Sequence, residues 1–301
     1  MLGTVQLGLD YGVANRIGRP PREEARAILQ TAFRAGVNAL DTARAYGDSE
    51  LLLGELLQEL DVPGDLLVET KTAAQDVGSD IAPDAAAALT DEWLTDSLHR
   101  LRRPMVEAYL LHRFGQLDAG AGALVDLLRR RRAEGRIAHL GVSVYAPDEA
   151  ERALTEPDIE VVQAPFSVFD QRLRRSGFLE QAHRRGLAVF TRSAFLQGLV
   201  LMPRDEVPAG LTDILPLRDE FERICRRAGR TEKEVALRFP LTQPGITSVL
   251  VGVETAAQLR ELLDLLAGPA LDAGMVRALE ECFADVPEHL INPATWPARQ
   301  G

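Results

Sequence analysis

VNALDTARAYGDSELLLGELLQEL, residues 37–60, holds one complete structural unit. Residues 37–43, VNALDTA, form a short apolar run whose last strand residue is Asp41. A polar loop carrying Tyr46 follows. From Ser49, read as the N-cap, to Leu60 the leucines recur at helical spacing. This is a strand, a loop and a helix in about two dozen residues, and repetition of such units argues for a parallel sheet.

The same order repeats in both directions. Upstream, TVQLG (4–8) reads as a strand and REEARAILQTAFRAG (22–36) as an amphipathic helix ending at a glycine. Downstream, LLVETKT (66–72) precedes the helix around DEWLTDSLHRL, and VEAYLLH (106–112) precedes ALVDLLRRRRAEG. AHLGVSV (138–144) leads into a short helix near Glu149 to Leu154, and EVVQAPF (160–166) into FLEQAHRRG. LAVFTRS (187–193) is followed by a longer loop and two helices within 212–243. ITSVLVGV (246–253) ends in TAAQLRELLDLLA, where Thr255 and Gln258 suit a capping box. Eight strand candidates with no linker or composition break predict a single-domain (β/α)8 TIM barrel over residues 1–301.

Composition narrows the function. The chain is 46% hydrophobic and 26% charged, too apolar for disorder. Its net charge of −11 repels phosphate backbones and anionic lipid, so neither nucleic acid nor a membrane is expected as a partner. The run Arg129 to Arg132 does not alter this, because it falls in the last turns of a helix where cations suit the dipole. No apolar run reaches membrane-spanning length, and the N-terminus lacks the features of a signal peptide. Cys225 and Cys282 form no CxxC pattern and read as reduced thiols, consistent with a cytoplasmic protein. The five histidines lack ligand spacing, so no metal is expected.

In a parallel barrel the chemistry sits where strands end. Asp41, Lys71, His112, Ser143, Gln163 and Ser193 all fall at or near such ends. Lys71 stands out because arginine supplies nearly every other cation, and the only other lysine is Lys233. Its plainer reading is an ion pair with Glu69, which shares its strand parity. The alternative is that a compact ammonium sits beside a phenol and lowers its pKa, a fit that a broad guanidinium would not match. Tyr46 supplies the phenol. Asp41, Tyr46, Lys71 and His112 can then form one proton-donating unit, with histidine orienting the substrate oxygen.

At these residues the sequence resembles the aldo-keto reductase superfamily. LDTARAYGDSE (40–50) carries the family's DTAxxYGxSE pattern in full, and ETKT and YLLH match its strand-three lysine and strand-four histidine. GVSV, VVQAPF and VLVGVETAAQLRE fall in the family's order, so the resemblance covers nearly the whole chain. It implies a catalytic tetrad of Asp41, Tyr46, Lys71 and His112, with Tyr46 as proton donor to a carbonyl or acceptor from an alcohol. It also implies NADPH or NADH lying across the barrel mouth. The positions implied for cofactor binding are Thr4, Asp41, Ser143, Gln163, Arg192, Ser193, Gly252, Glu254, Thr255 and Gln258.

Several positions depart from the family pattern. Val144 stands where an asparagine normally joins Ser143 and Gln163 on the nicotinamide amide. Arg192 replaces the aromatic that commonly stacks on the ring, and its planar guanidinium can stack instead. Gly252, Gln258 and Leu262 replace the basic and amide residues that clamp an adenosine 2′-phosphate, leaving the helix N-terminus at Thr255 as an anion site. With Glu254 in that loop, NADH is expected to compete with NADPH. GAGALV (120–125) is a glycine-containing helix entry rather than a dinucleotide fingerprint. Many relatives begin with a hairpin under the barrel, whereas here the strand pattern begins at once.

The resemblance implies a small carbonyl or alcohol compound as substrate. Arg113 and Arg192 near the mouth suit a hydroxylated or anionic one, such as a sugar derivative. Trp296 reads either as part of a tail folded over the mouth or as an aromatic packed on the flank. Two other functions remain compatible with the same barrel: a cofactor-binding regulatory subunit, and a non-redox lyase or epimerase. The complete tetrad favours the oxidoreductase.

Overall fold

The computed structural model describes residues 1–75 and 77–296. Nine strand segments form one sheet: β1 (Leu2–Gly3), β2 (Ala39–Asp41), β3 (Leu67–Lys71), β4 (Val106–Leu111) and β5 (Ile137–Ser143), then β6 (Val161–Pro165), β7 (Ala188–Arg192), β8 (Ser248–Val249) and β9 (Val251–Gly252). Each pairs in parallel with its neighbour, and the order runs β8-β7-β6-β5-β4-β3-β2-β1-β9. β8 pairs with β7 and β9 with β1, with only Leu250 between them. They are two halves of the eighth strand, and together they close the ring. The barrel expected from the alternating units is the one observed.

Helices cover the outside, each burying one stripe. Arg22–Arg34 turns Ala25, Ile28, Leu29 and Ala32 inward, the spacing of a single helical face. Ser49–Glu59 buries Leu52, Leu53, Leu56 and Leu57. Gly122, at φ 88°, starts the helix Ala123–Ala133, so the GAGALV stretch is a helix entry. The two helices after the β7 loop are Leu215–Arg227 and Glu232–Arg238. Among the described residues, no helix is long and apolar enough to cross a membrane.

The first unit departs from expectation. The alternation in TVQLG suggests a strand over 4–8, but β1 ends at Gly3 and Val5–Gly8 makes a helical turn. Close packing causes the turn. A Cβ on Gly8 would lie 1.8 Å from the Tyr46 carbonyl oxygen, and one on Gly47 would lie 2.4 Å from the Gly8 carbonyl oxygen. The segment leaves the sheet early because the loop bearing Tyr46 occupies the space beside it.

Ser49 also differs. It is the first helical residue, not the cap, and its hydroxyl lies inside the protein. It accepts from Thr42 at 3.0 Å and donates to the Thr4 carbonyl at 3.0 Å. The serine fastens the helix to the ends of β1 and β2.

Candidate active site

Asp41 and Lys71 are the last residues of β2 and β3, and His112 follows the last residue of β4. Tyr46 is held between β2 and the next helix by tight turns, its N–H donating to the Ala43 carbonyl at 2.9 Å. All but Lys71 line one cavity of about 550 Å³ at the C-terminal mouth, within the range of small-molecule sites.

Lys71 lies beneath them, fully buried. Its ammonium donates to an Asp41 carboxylate oxygen and to the Thr42 carbonyl at 2.9 Å, and lies 3.4 Å from Glu69. The Gln163 amide bridges both acids, donating to Asp41 at 2.7 Å and to Glu69. Lys71 Nζ is 5.2 Å from the centre of the Tyr46 ring, and the rings of Tyr46 and His112 meet edge-on at 6.0 Å. Both readings of Lys71 thus contain part of the geometry: it pairs with acids, Asp41 more closely than Glu69, and it faces the phenol.

Burial works against the Lys71 charge, yet Asp41, Tyr46 and Glu69 together raise its pKa above the usual lysine value. It stays an ammonium. Burial raises the Tyr46 phenol above its ordinary 10.0, and Lys71 offsets part of that rise. The net shift is upward, against the expected lowering, because the cost of a buried phenolate exceeds the help of one cation at this distance. Burial, reinforced by Lys71, pushes His112 down to about 4, so it is neutral at pH 7.

The positions implied for the cofactor divide into two groups. Asp41, Ser143, Gln163, Arg192, Ser193, Gly252, Glu254 and Gln258 line the cavity. Both hydrogens of the Gln163 amide serve the acids below, which leaves its oxygen as an acceptor. That oxygen and the Ser143 hydroxyl suit a carboxamide such as that of nicotinamide. Val144 is buried in the wall and its carbonyl accepts from Arg192 at 3.0 Å, while the guanidinium lies 4.3 Å from the Tyr145 ring centre. Arg192 therefore stacks on the Tyr145 ring while lining the cavity. A Cβ on Gly252 would fall 2.3 Å from the end of the Gln6 side chain, which would have to move aside.

Thr4 and Thr255 do not line the cavity. Thr4 is fully buried and donates to the Asp41 carbonyl at 2.8 Å, so it braces the site from behind. Thr255 caps its helix, Ala256–Ala267, by accepting from the Gln258 amide. The free anion site expected there is already filled. The Glu254 and Thr255 amides donate to Gln258 Oε1 at 2.8 and 3.2 Å, and the Ala256 amide donates to Glu24 at 2.6 Å.

Other lining residues were not anticipated. Tyr145 follows the GVSV stretch and could have been noted as an aromatic at a strand end. Gln6, whose Oε1 is buried without a partner, could not, since its turn was read as strand. Lys233 and Glu261 line the far end of the cavity and pair at 2.6 Å. Trp296 is partly buried against the core and donates to the His289 carbonyl at 2.9 Å, whereas Pro293 lines the cavity. Residues 297–301 of the tail lie outside the described residues. Among the described residues, no group of three His, Cys, Asp or Glu side chains could hold a metal.

Comparison with known proteins agrees with this geometry. The chain is 26% identical over 295 residues to the uncharacterized oxidoreductase YqkF of Bacillus subtilis, covering 93% of this chain and 94% of that protein. It is 27% identical to L-galactose dehydrogenase of Arabidopsis thaliana, covering 93% and 89%. The holo form of the aldo-keto reductase AKR11C1 from Bacillus halodurans superposes with a TM-score of 0.76 at 22% identity, covering 96% and 93%. The sequence model of the aldo/keto reductase family matches residues 1–284, a range that spans all eight strand positions, and the chain belongs to that family.

Proposed function

We propose that this protein is an NAD(P)H-dependent oxidoreductase that reduces an aldehyde or ketone to an alcohol, or runs the reverse reaction. The observation that carries this reading is the convergence of Asp41, Tyr46 and His112 on one cavity, with Lys71 and its charge network directly below. A bound nicotinamide coenzyme supplies or takes up the hydride. The protein's own residues handle the proton. The Tyr46 hydroxyl donates to the carbonyl oxygen as negative charge develops there, and its proton completes the alcohol. The resulting phenolate faces the Lys71 ammonium, which Asp41 holds charged and in place. In oxidation the same atoms act in reverse.

Oxygen-rich substrates fit this site. L-galactose dehydrogenase is among the relatives, as is the NADH-specific methylglyoxal reductase of Escherichia coli at 24% identity. Acceptance of NADH fits the far end of the cavity. Glu24 already neutralises the helix N-terminus, Glu254 lies in the same loop, and Lys233 is paired with Glu261. A 2′-phosphate would meet carboxylates there, whereas a ribose hydroxyl can donate to them.

The test is Tyr46→Phe. Carbonyl reduction should fall by about 10²–10⁴-fold, the usual worth of general acid catalysis, while NADH affinity measured by fluorescence stays unchanged. Undiminished turnover in the folded variant would remove Tyr46 from the reaction and end this reading.

A further inference from the structure

The turn that presents Tyr46 has few side chains of its own to hold it. It folds back between Ala43 and Tyr46, and Ala43, Ala45 and Gly47 are too short to reach a neighbouring element with a polar group. From inside the barrel Lys71 grips its base, donating to the Thr42 carbonyl at 2.9 Å. On the outer side Arg44 reaches across to the helix Pro83–Leu101 and pairs there with Asp96. Asp96 is fixed in turn by Arg100, whose Nε donates to it at 2.8 Å. Glu50, the other carboxylate near Arg44, already has a donor in the Thr70 hydroxyl at 2.6 Å, so Asp96 is the partner that anchors the guanidinium.

The anchor is firm. Ser97, Leu98 and Leu101 of that helix are buried, and a Cβ on Gly54 would lie 2.0 Å from the Arg100 carbonyl oxygen. The helix therefore sits directly against Ser49–Glu59, the helix into which the Tyr46 turn runs. The ion pair itself is only half-buried, with 24% of the Arg44 side chain and 33% of the Asp96 side chain exposed. A pair so open to water adds little to the stability of the whole fold. Its effect is local: it pins the outer side of a turn whose inner side Lys71 already holds. Catalytic groups tolerate little displacement, and a shift of about 1 Å can cost about 10²-fold in rate.

We infer that Arg44, tied to Asp96, is a positioning residue for Tyr46, holding the phenol where its proton reaches the substrate oxygen. This rests on the oxidoreductase reading above. Neither Arg44 nor Asp96 lines the cavity, so the pair acts through the turn and not by contact with a ligand. Proton transfer from Tyr46 belongs to the transition state. Loosening the turn therefore lowers kcat and kcat/KM together and leaves ground-state binding almost untouched.

The experiment measures kcat and KM for 4-nitrobenzaldehyde, with saturating NADH or NADPH, in Arg44→Gln, Arg44→Lys and Arg103→Gln. Arg103 is the control, because it forms a pair of similar exposure with Glu107, 23% and 26%, and its bonds go to Met105 and Glu107. In Arg44→Gln kcat should fall at least about tenfold, with KM and the melting temperature nearly unchanged. Arg44→Lys, which keeps the charge, should recover much of that loss, and Arg103→Gln should match the wild type. Wild-type turnover in Arg44→Gln, or an equal loss in Arg103→Gln, would overturn the inference. Amide hydrogen exchange reads the turn without any substrate. The Tyr46 and Ser49 amides, which donate to the Ala43 and Tyr46 carbonyls, should exchange at least about tenfold faster in Arg44→Gln, while the β4 amides keep their wild-type rates. Unchanged exchange at both amides would overturn the inference whatever the kinetics. Failure of the wild-type protein to reduce any aldehyde would defeat the oxidoreductase reading instead, and the exchange measurement would still decide whether Arg44 holds the turn.

Discussion

Replacing Glu69 with glutamine separates the two acids that share Lys71. Glu69 is fully buried on β3, with Oε1 3.4 Å from the ammonium and accepting from Gln163, and with Oε2 lacking any partner. One buried cation can compensate one carboxylate, and Asp41 is the closer. Burial raises the Glu69 pKa well above its usual value, Lys71 opposes the rise and Asp41 adds to it. Glu69 is thus the acid that keeps its proton, and glutamine has the shape of a protonated glutamate. The amide oxygen can still accept from Gln163, and its NH2 takes the place of an oxygen that already had no partner. We expect Glu69→Gln to lie within about 1 kcal/mol of the wild type near pH 5, the scale of one ordinary hydrogen bond. Asp41→Asn, which removes the close partner of a buried ammonium, should cost about 3–5 kcal/mol. The pH dependence has a definite sign. Because folding raises the Glu69 pKa, its contribution to stability is fully present below the unfolded value of 4.5 and is lost as pH rises through the folded value. The glutamine variant lacks that loss, so it should gain on the wild type as pH rises. Urea unfolding of the three proteins at pH 5 and pH 8 measures both effects. A loss of 3 kcal/mol or more for Glu69→Gln at pH 8, beside a mild Asp41→Asn, would make Glu69 the ionised partner and refute the assignment.

Lys71→Arg keeps the charge but has no free space around it, so it should destabilise by about 1–3 kcal/mol through overpacking. It should also shift the pH–rate profile by displacing Tyr46, and an unchanged profile would leave ion pairing as the only role of Lys71. In competition assays NADH should match NADPH to within about tenfold, or about 1.4 kcal/mol. Glu24→Gln should move the balance toward NADPH by freeing the Ala256 amide from a carboxylate, as should Glu254→Gln. An NADPH preference above a hundredfold, untouched by either substitution, would place the reading of the phosphate elsewhere.

The barrel and the polar residues that converge at its mouth were legible along the chain. Apolar runs that end in a polar residue and lead into a leucine-spaced helix report burial on a sheet and on a helix face, and that information is local. Eight such units closing into a ring put Asp41, Lys71 and His112 at one mouth without further input. Local spacing could not show how loops from different units compete for the same space. Val5 and Leu7 alternate as in a strand, yet the turn carrying Tyr46 packs against Gly8 and bends the chain away. Ser49 looks like a cap and is instead a fastener between β1 and β2. The helix at Thr255 looks like an open anion site, but it receives a carboxylate from Glu24, a residue 232 positions earlier, which reaches it only because β9 pairs with β1. The contact of His112 Nδ1 with the Thr72 carbonyl likewise joins two units, and Gln116 accepts from both the Thr72 hydroxyl and the His112 backbone N–H. Periodicity records which face of an element is buried. Hydrogen-bond partners, and with them the protonation states that chemistry uses, are decided by distances across the closed barrel.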